Sequence, residues 1–175
     1  MSFYQNIAAI GQKFIKKHVL FKYGFNLSPM YRRSTGKIIY VSEDLMLIRI
    51  KLPISYKNRN YVNSIFGGSL FSSVDPIPMV QLINLLDDSF VVWDKSAQIK
   101  FKKPAREHLY AEFSCTHNEI EDIKAQVQRD HEIEIVKTTA LTNKDKSITY
   151  CTVEKTIYIA DKSFYKKKKR RKESK

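Results

Sequence analysis

The stretch RNYVNSIFGGSLFSSVD, Arg59 to Asp75, holds the residue types with the most chemical content in the chain. Gly67 and Gly68 stand at the front of its most hydrophobic helical run, and a lone carboxylate, Asp75, follows further along. Glycine in a helix interior costs about 0.5–1 kcal/mol relative to alanine, so an adjacent pair needs a reason. The first backbone N–H groups of a helix have no internal partner, and the macrodipole places partial positive charge there. With no side chain in the way, a carbonyl can come close, and negative charge developing on its oxygen is stabilised. Asp75 lies two turns on, roughly 10–12 Å along the axis, too far to act on the same carbonyl. Each residue also has a plain structural alternative. The glycines would permit tight helix–sheet packing, Asp75 would cap a second segment starting at Pro76, and Asn60 would be a loop residue.

The elements that must position these residues follow from periodicity. Phe3, Ile7, Ile10, Phe14 and Phe21 recur at helical spacing among Lys13, Lys16, Lys17 and Lys22, giving a basic amphipathic helix. It packs on its own domain or, alternatively, lies on a membrane surface. NLSPMYRRSTG reads as a loop, and KIIYVS and LMLIRIKL as a hairpin-like pair. A long helix is expected over Gly68 to Leu86, broken or kinked by Pro76 and Pro78 just past Asp75. SFVVWD, SAQIKFKK and HLYAEFSC are extended, with Pro104 ending the second. THNE, Thr116 to Glu119, is a capping box, with Ile120, Ile123 and Val127 as the stripe behind it. HEIEIVKTTAL and SITYCTVEKTIYIA make a final hairpin around TNKDK. Strand runs around one apolar helix indicate an α+β domain. The expected division is an N-terminal helix and linker over 1–28, a domain over 29–162, and a disordered basic tail over 163–175.

Composition narrows the function classes. A chain of 175 residues with 43% hydrophobic residues is one domain with a real core. No run reaches the length of ~18 apolar residues that a spanning helix requires, and the first residues lack a secretory pattern. Cys115 and Cys151 sit in strand-like runs and suit buried free thiols in a reducing compartment, so the expected location is cytoplasmic, with peripheral membrane association as an alternative. His18, His108, His117 and His131 lack ligand spacing, so no metal is expected. Of the formal net charge of +13, the tail run Lys166 to Lys172 carries seven positive charges, leaving the body +6. A basic body favours anionic partners. The tail alone is the basis for nucleic acid or anionic membrane as a partner, and it lacks interleaved aromatics.

The order of elements and the glycine motif resemble the hotdog-fold thioesterase superfamily, closest to its uncharacterised thioesterase-like branch. In active relatives of the phenylacetyl-CoA thioesterase type, an Asn lies six residues before a His-Gly-Gly, and an acidic residue follows seven after the second Gly. Here Asn60 lies six before Phe66-Gly67-Gly68, and Asp75 seven after Gly68. VVWDKSAQIKFKKPA, Val91 to Ala105, is similar to the family strand that ends in a proline. The resemblance implies a curved antiparallel sheet wrapped around a central helix, and a homodimer or dimer of dimers. It implies an acyl-CoA or acyl-carrier protein thioester as substrate, with no other cofactor. Gly67 or Gly68 would stabilise the thioester oxyanion, Asp75 of the partner subunit would activate water or attack directly, and Asn60 would position water or thioester. Phe66, Ser69, Asp94 and Lys95 would contact substrate. Asp94 stands near where some relatives carry a Ser or Thr; the alternative is that it pairs with Lys95, and Trp93 reads as core. Phe66 replaces the usual His, which argues against the dehydratase members, whose proton transfer at carbon needs such a base. A non-catalytic acyl or CoA binder is the alternative to an enzyme.

Overall fold

The computed structural model describes residues 15–173. The expected stripe positions Phe3, Ile7, Ile10, Phe14 and the neighbouring Lys13 lie outside them. The described part of the first helix, α1, runs Lys17–Leu27 and buries Phe21 in the main core, where its ring stacks on Phe25 at 4.8 Å. The expected loop after it instead contains a short helix, α2 (Pro29–Ser34). Pro29 supplies the fixed φ favoured at a first helical position, and Thr35 closes the turn with φ 65°. From α2 the buried Tyr31 donates a hydrogen bond to the carbonyl of Ser73 at 2.9 Å.

Six strands form one antiparallel sheet in the order β1 (Lys37–Val41), β2 (Leu47–Leu52), β4 (Leu109–Ser114), β5 (Glu132–Thr142), β6 (Thr149–Asp161), β3 (Phe90–Phe101). The expected central helix is two segments, α3 (Gly67–Val74) and α4 (Pro76–Leu85), meeting at Asp75. The interruption follows from the prolines, because each lacks an N–H and crowds the preceding turn. α4 spans two apolar clusters: Ile77 joins α3, β1, β2 and β4, while Leu82 joins Ile120, Ile123 and Val127 of α5 (His117–Asp130). The capping box forms, with Thr116 accepting from the Glu119 N–H at 3.1 Å.

The two extended runs around Lys95 are one strand, β3, with a register shift between Asp94 and Ser96 that leaves Lys95 as the extra residue. β3 pairs along its length with β6 and ends the sheet. Between β4 and β5 the ladder is short, with Tyr110 opposite Thr142 as its register pair. A cavity of about 200 Å³ opens there, lined by residues including Gln81, Phe113, Ser114 and Lys137. Lys137 of β5 bridges it to the Ser114 carbonyl of β4 at 3.1 Å and binds Glu119 at 2.7 Å, while Gln81 of α4 donates to the Leu45 carbonyl at 2.8 Å.

The basic tail, expected to be disordered, is a helix, α6 (Lys162–Glu173). Lysine and arginine are good helix formers, and Asp161 accepts from the Ser163 hydroxyl at 2.5 Å and the Phe164 N–H at 2.8 Å. Phe164 stacks on His131 at 5.2 Å, Tyr165 meets Trp93 at 5.6 Å, and Lys168 binds Glu132 at 2.6 Å. The aromatic pair at its start and one lysine further on supply the docking that charge composition alone conceals.

Candidate active site

The loop before α3 is built around Asn58, a buried residue that sequence reasoning passed over. Its amide accepts from the Ser55 N–H at 2.9 Å and donates to Thr35 Oγ1 at 2.7 Å and the Pro53 carbonyl at 2.8 Å. Its own carbonyl accepts from the Phe66 N–H at 2.8 Å. Asn60 serves the same loop: its Oδ1 accepts from the N–H groups of Val62 and Ser64, and its Nδ2 donates to Ser64 Oγ at 3.0 Å. These bonds engage both ends of the Asn60 amide, the arrangement of the loop-residue alternative.

Phe66 precedes α3 with φ −59° and ψ 134°, and its carbonyl accepts from the N–H groups of Ser69 at 2.9 Å and Leu70 at 3.1 Å. The N–H groups of Gly67 and Gly68 take no hydrogen bond among the described residues. Both glycines sit close under neighbouring aromatic rings, which a side chain at either position would displace. A β-carbon on Gly68 would lie 2.2 Å from the Phe66 ring, and one on Gly67 would lie 3.0 Å from the ring of Phe101. Phe66 and Phe101 are each 58% exposed, so two apolar rings flank the start of α3. Ser69, expected at the substrate, is buried behind them.

Asp75 does not cap α4 through its side chain. Its Oδ1 accepts from Lys155 Nζ at 2.8 Å, and its backbone carbonyl accepts from the same ammonium at 2.6 Å. Lys155 also donates to Asp94 Oδ2 at 2.5 Å. Asp94 therefore pairs with Lys155, not with Lys95, which instead reaches across to Glu134 on β5. Lys155 is 2% exposed, whereas the side chains of Asp75 and Asp94 retain 39% and 27% of their exposure. The triad carries one positive and two negative groups, and Asp94 Oδ1 is buried without a hydrogen-bond partner among the described residues. A buried lysine is tolerated only when paired; two carboxylates and a carbonyl fill its three donor positions. The sequence did carry a signal for it. Val153, Lys155, Ile157 and Ile159 occupy one face of β6, so a lysine interrupts an apolar alternation.

The structure thus brings together two groups. Gly67, Gly68, Phe66 and Phe101 form an open helix N-terminus, and Asp75, Asp94 and Lys155 form an ion cluster against the edge strand. Trp93, expected as core, is 46% exposed on the opposite face of β3. Cys115 and Cys151 are buried free thiols. Burial raises both, Cys151 to about 11, which keeps them protonated and unreactive. No helix among the described residues is long and apolar enough to cross a membrane.

Solved structures share this architecture. A probable thioesterase of Pseudomonas aeruginosa superposes with a TM-score of 0.71 at 17% identity, covering 82% of this chain and 95% of that one. A thioesterase from Haemophilus influenzae gives 0.59 at 11% identity over 82% and 90%. A hypothetical thioesterase from Streptococcus pneumoniae, solved with coenzyme A, gives 0.54 at 16% identity over 81% and 97%. No curated protein sequence matches. The six-stranded antiparallel sheet with its helices is the hotdog fold of these proteins. Residues 17–159 match the family described as a domain of unknown function, DUF4442, and the chain belongs to that family.

Proposed function

We propose that the protein hydrolyses an acyl-CoA or acyl-carrier thioester as a homodimer. The observation that carries this reading is the pair of N–H groups of Gly67 and Gly68, unengaged among the described residues, at a helix N-terminus beside the exposed apolar rings of Phe66 and Phe101. The rings suit the acyl or pantetheine portion, and the N–H groups suit the oxygen of the thioester. Water adds to the carbonyl carbon as a carboxylate takes its proton, and the oxygen becomes anionic at the glycines. The C–S bond then breaks, and the thiolate recovers the proton. Asp75 is the carboxylate of choice because its side chain is partly exposed and fixed by Lys155.

The edge strand supports a site shared between two copies. Lys155 ties Asp75 to Asp94 near the start of β3, and Phe101 lies at its far end beside Gly67. Antiparallel pairing of two β3 strands centred between Ala97 and Gln98 would set Phe101 of one against Asp94 of the other. One copy's glycines would then face the partner's carboxylate. A non-catalytic acyl or CoA binder is the second reading. It is favoured by one observation, the engagement of Asp75 by an ammonium, which competes with proton transfer.

Asp75→Asn keeps the shape and removes the base. Assayed on a panel of acyl-CoA and acyl-carrier thioesters, it is expected to lose about 10²-fold in turnover with substrate binding nearly intact. A wild-type protein that binds the esters without hydrolysing any of them would establish the binder instead.

A further inference from the structure

Opposite the helix-covered face, α6 and the outer surface of β3 and β6 enclose a second cleft of about 310 Å³. Its lining is Trp93, Tyr158 and Tyr165 together with Lys95, Lys168 and Lys169. Alternation along β3 sends Asp94 to the helix side and Trp93 outward, so the cleft is separate from the glycine site. Trp93 and Tyr165 meet nearly at right angles, 83° at 5.6 Å, and form a corner. Tyr158 closes the floor at 5.5 Å from Trp93, its hydroxyl held by Glu132 at 2.5 Å.

We propose that this cleft binds a nucleoside phosphate, with the base stacked in the aromatic corner and the phosphates on the basic face of α6. A corner of two perpendicular rings accepts a planar base on one face and its edge on the other, and stacking on such platforms is tolerant of base identity. The charge comes from the helix. Lys95 and Lys168 neutralise Glu134 and Glu132 on the floor. Residues 162–173 hold eight basic groups against one acidic, and Lys95, Lys168 and Lys169 all line the cleft, so this face attracts an anion through its summed charge. The volume is at the small end of ligand pockets and matches one nucleotide, not a strand of nucleic acid. The same chemistry is offered by a free nucleotide and by the nucleotide end of coenzyme A. The proposal does not depend on thioester hydrolysis, so the two readings fail separately.

Trp93 is the only tryptophan, so its fluorescence reports the cleft directly. Full-length protein titrated with ADP, ATP, 3′,5′-ADP and coenzyme A should show saturable quenching, with calorimetry giving the same affinities. Adenosine and inorganic pyrophosphate should each bind at least 10-fold more weakly than the best nucleotide, because each supplies half of the contacts. Tyr165→Ala should weaken nucleotide binding by about 10-fold, the scale of one lost stacking platform, while Tyr165→Phe, which keeps the ring, should bind as wild type. Tighter binding of coenzyme A and 3′,5′-ADP than of ADP and ATP assigns the coenzyme as the source; the reverse order assigns a free nucleotide. The proposal is overturned by the absence of saturable binding at millimolar nucleotide, or by unchanged affinity in a folded Tyr165→Ala. It is equally overturned if anionic phospholipid vesicles change Trp93 emission and nucleotides do not, an outcome that makes this face a membrane contact.

Discussion

Lys155 decides how Asp75 and Asp94 behave, because it is the only buried member of their cluster at 2% exposure. Lys155→Met keeps the stem volume and removes the ammonium, leaving two carboxylates facing each other. The expected loss is about 3 kcal/mol, the low end for breaking a buried ion pair, since both acids retain some solvent. Denaturant titration at neutral pH measures it; a loss within ±0.5 kcal/mol would mean that Lys155 contributes no net stability. The glycine pair at a helix start and the break at Asp75 before Pro76 were legible because both signals are local. Lys155 was not, because its partners lie 80 and 61 residues away in sequence. Likewise Asp94 was read with its neighbour Lys95, but in a strand adjacent residues face opposite ways. The bulge between Asp94 and Ser96 separates them further.

Among elements, the strands and the capped α5 were legible from alternation and from Thr116, because those signals are local. α6 was not, since its docking depends on surfaces made by β3, β5 and β6. That docking gives it a pH dependence. Lys168, followed by the Tyr158 hydroxyl, holds the Glu132 carboxyl below its usual range. A carboxyl lowered in the folded state adds stability above its unfolded pKa, and that stability is lost as pH falls through the folded value. α6 should therefore stay docked at neutral pH and release as pH drops below about 4, the ordinary glutamate range. Emission from Trp93, packed against Tyr165, follows the release; a signal flat through this range while the core stays folded would refute it. Glu132→Gln should shrink the acid transition and loosen α6 at neutral pH, leaving the part carried by Asp161, whose carboxyl the Ser163 hydroxyl and the Phe164 N–H also hold low.

For the whole molecule, the two edges of the sheet differ. β1 has 5 residues, while β3 has 12 and carries the half-exposed Trp93 and Phe101. A long unpaired edge is a template for another strand, so the second copy is expected along β3. Size-exclusion with light scattering should give twice the 20.5 kDa chain mass at micromolar concentration. Ser96→Pro or Ala97→Pro, placed mid-edge where Pro cannot donate to a ladder, should shift the mass to the monomer and remove any hydrolysis with it. A monomeric wild type would separate the glycines from a partner carboxylate. A second copy at this edge would be illegible from periodicity, because period 2 marks which face is buried and says nothing of what lies beyond an edge.

The short ladder between β4 and β5 also has a mechanical meaning. The sheet is effectively two three-stranded plates, β1-β2-β4 and β5-β6-β3, fastened near Tyr110 and Thr142 and again where Lys137 of β5 reaches the Ser114 carbonyl of β4. Load across the sheet concentrates on this seam, where few backbone bonds share it. The main apolar cluster crosses the seam, with Leu141, Cys151 and Val153 of one plate buried in the same cluster as Ile48, Ile50 and Ala111 of the other. Where backbone bonds thin out, buried apolar area joins the plates, so the seam is sealed by side chains and not by the ladder.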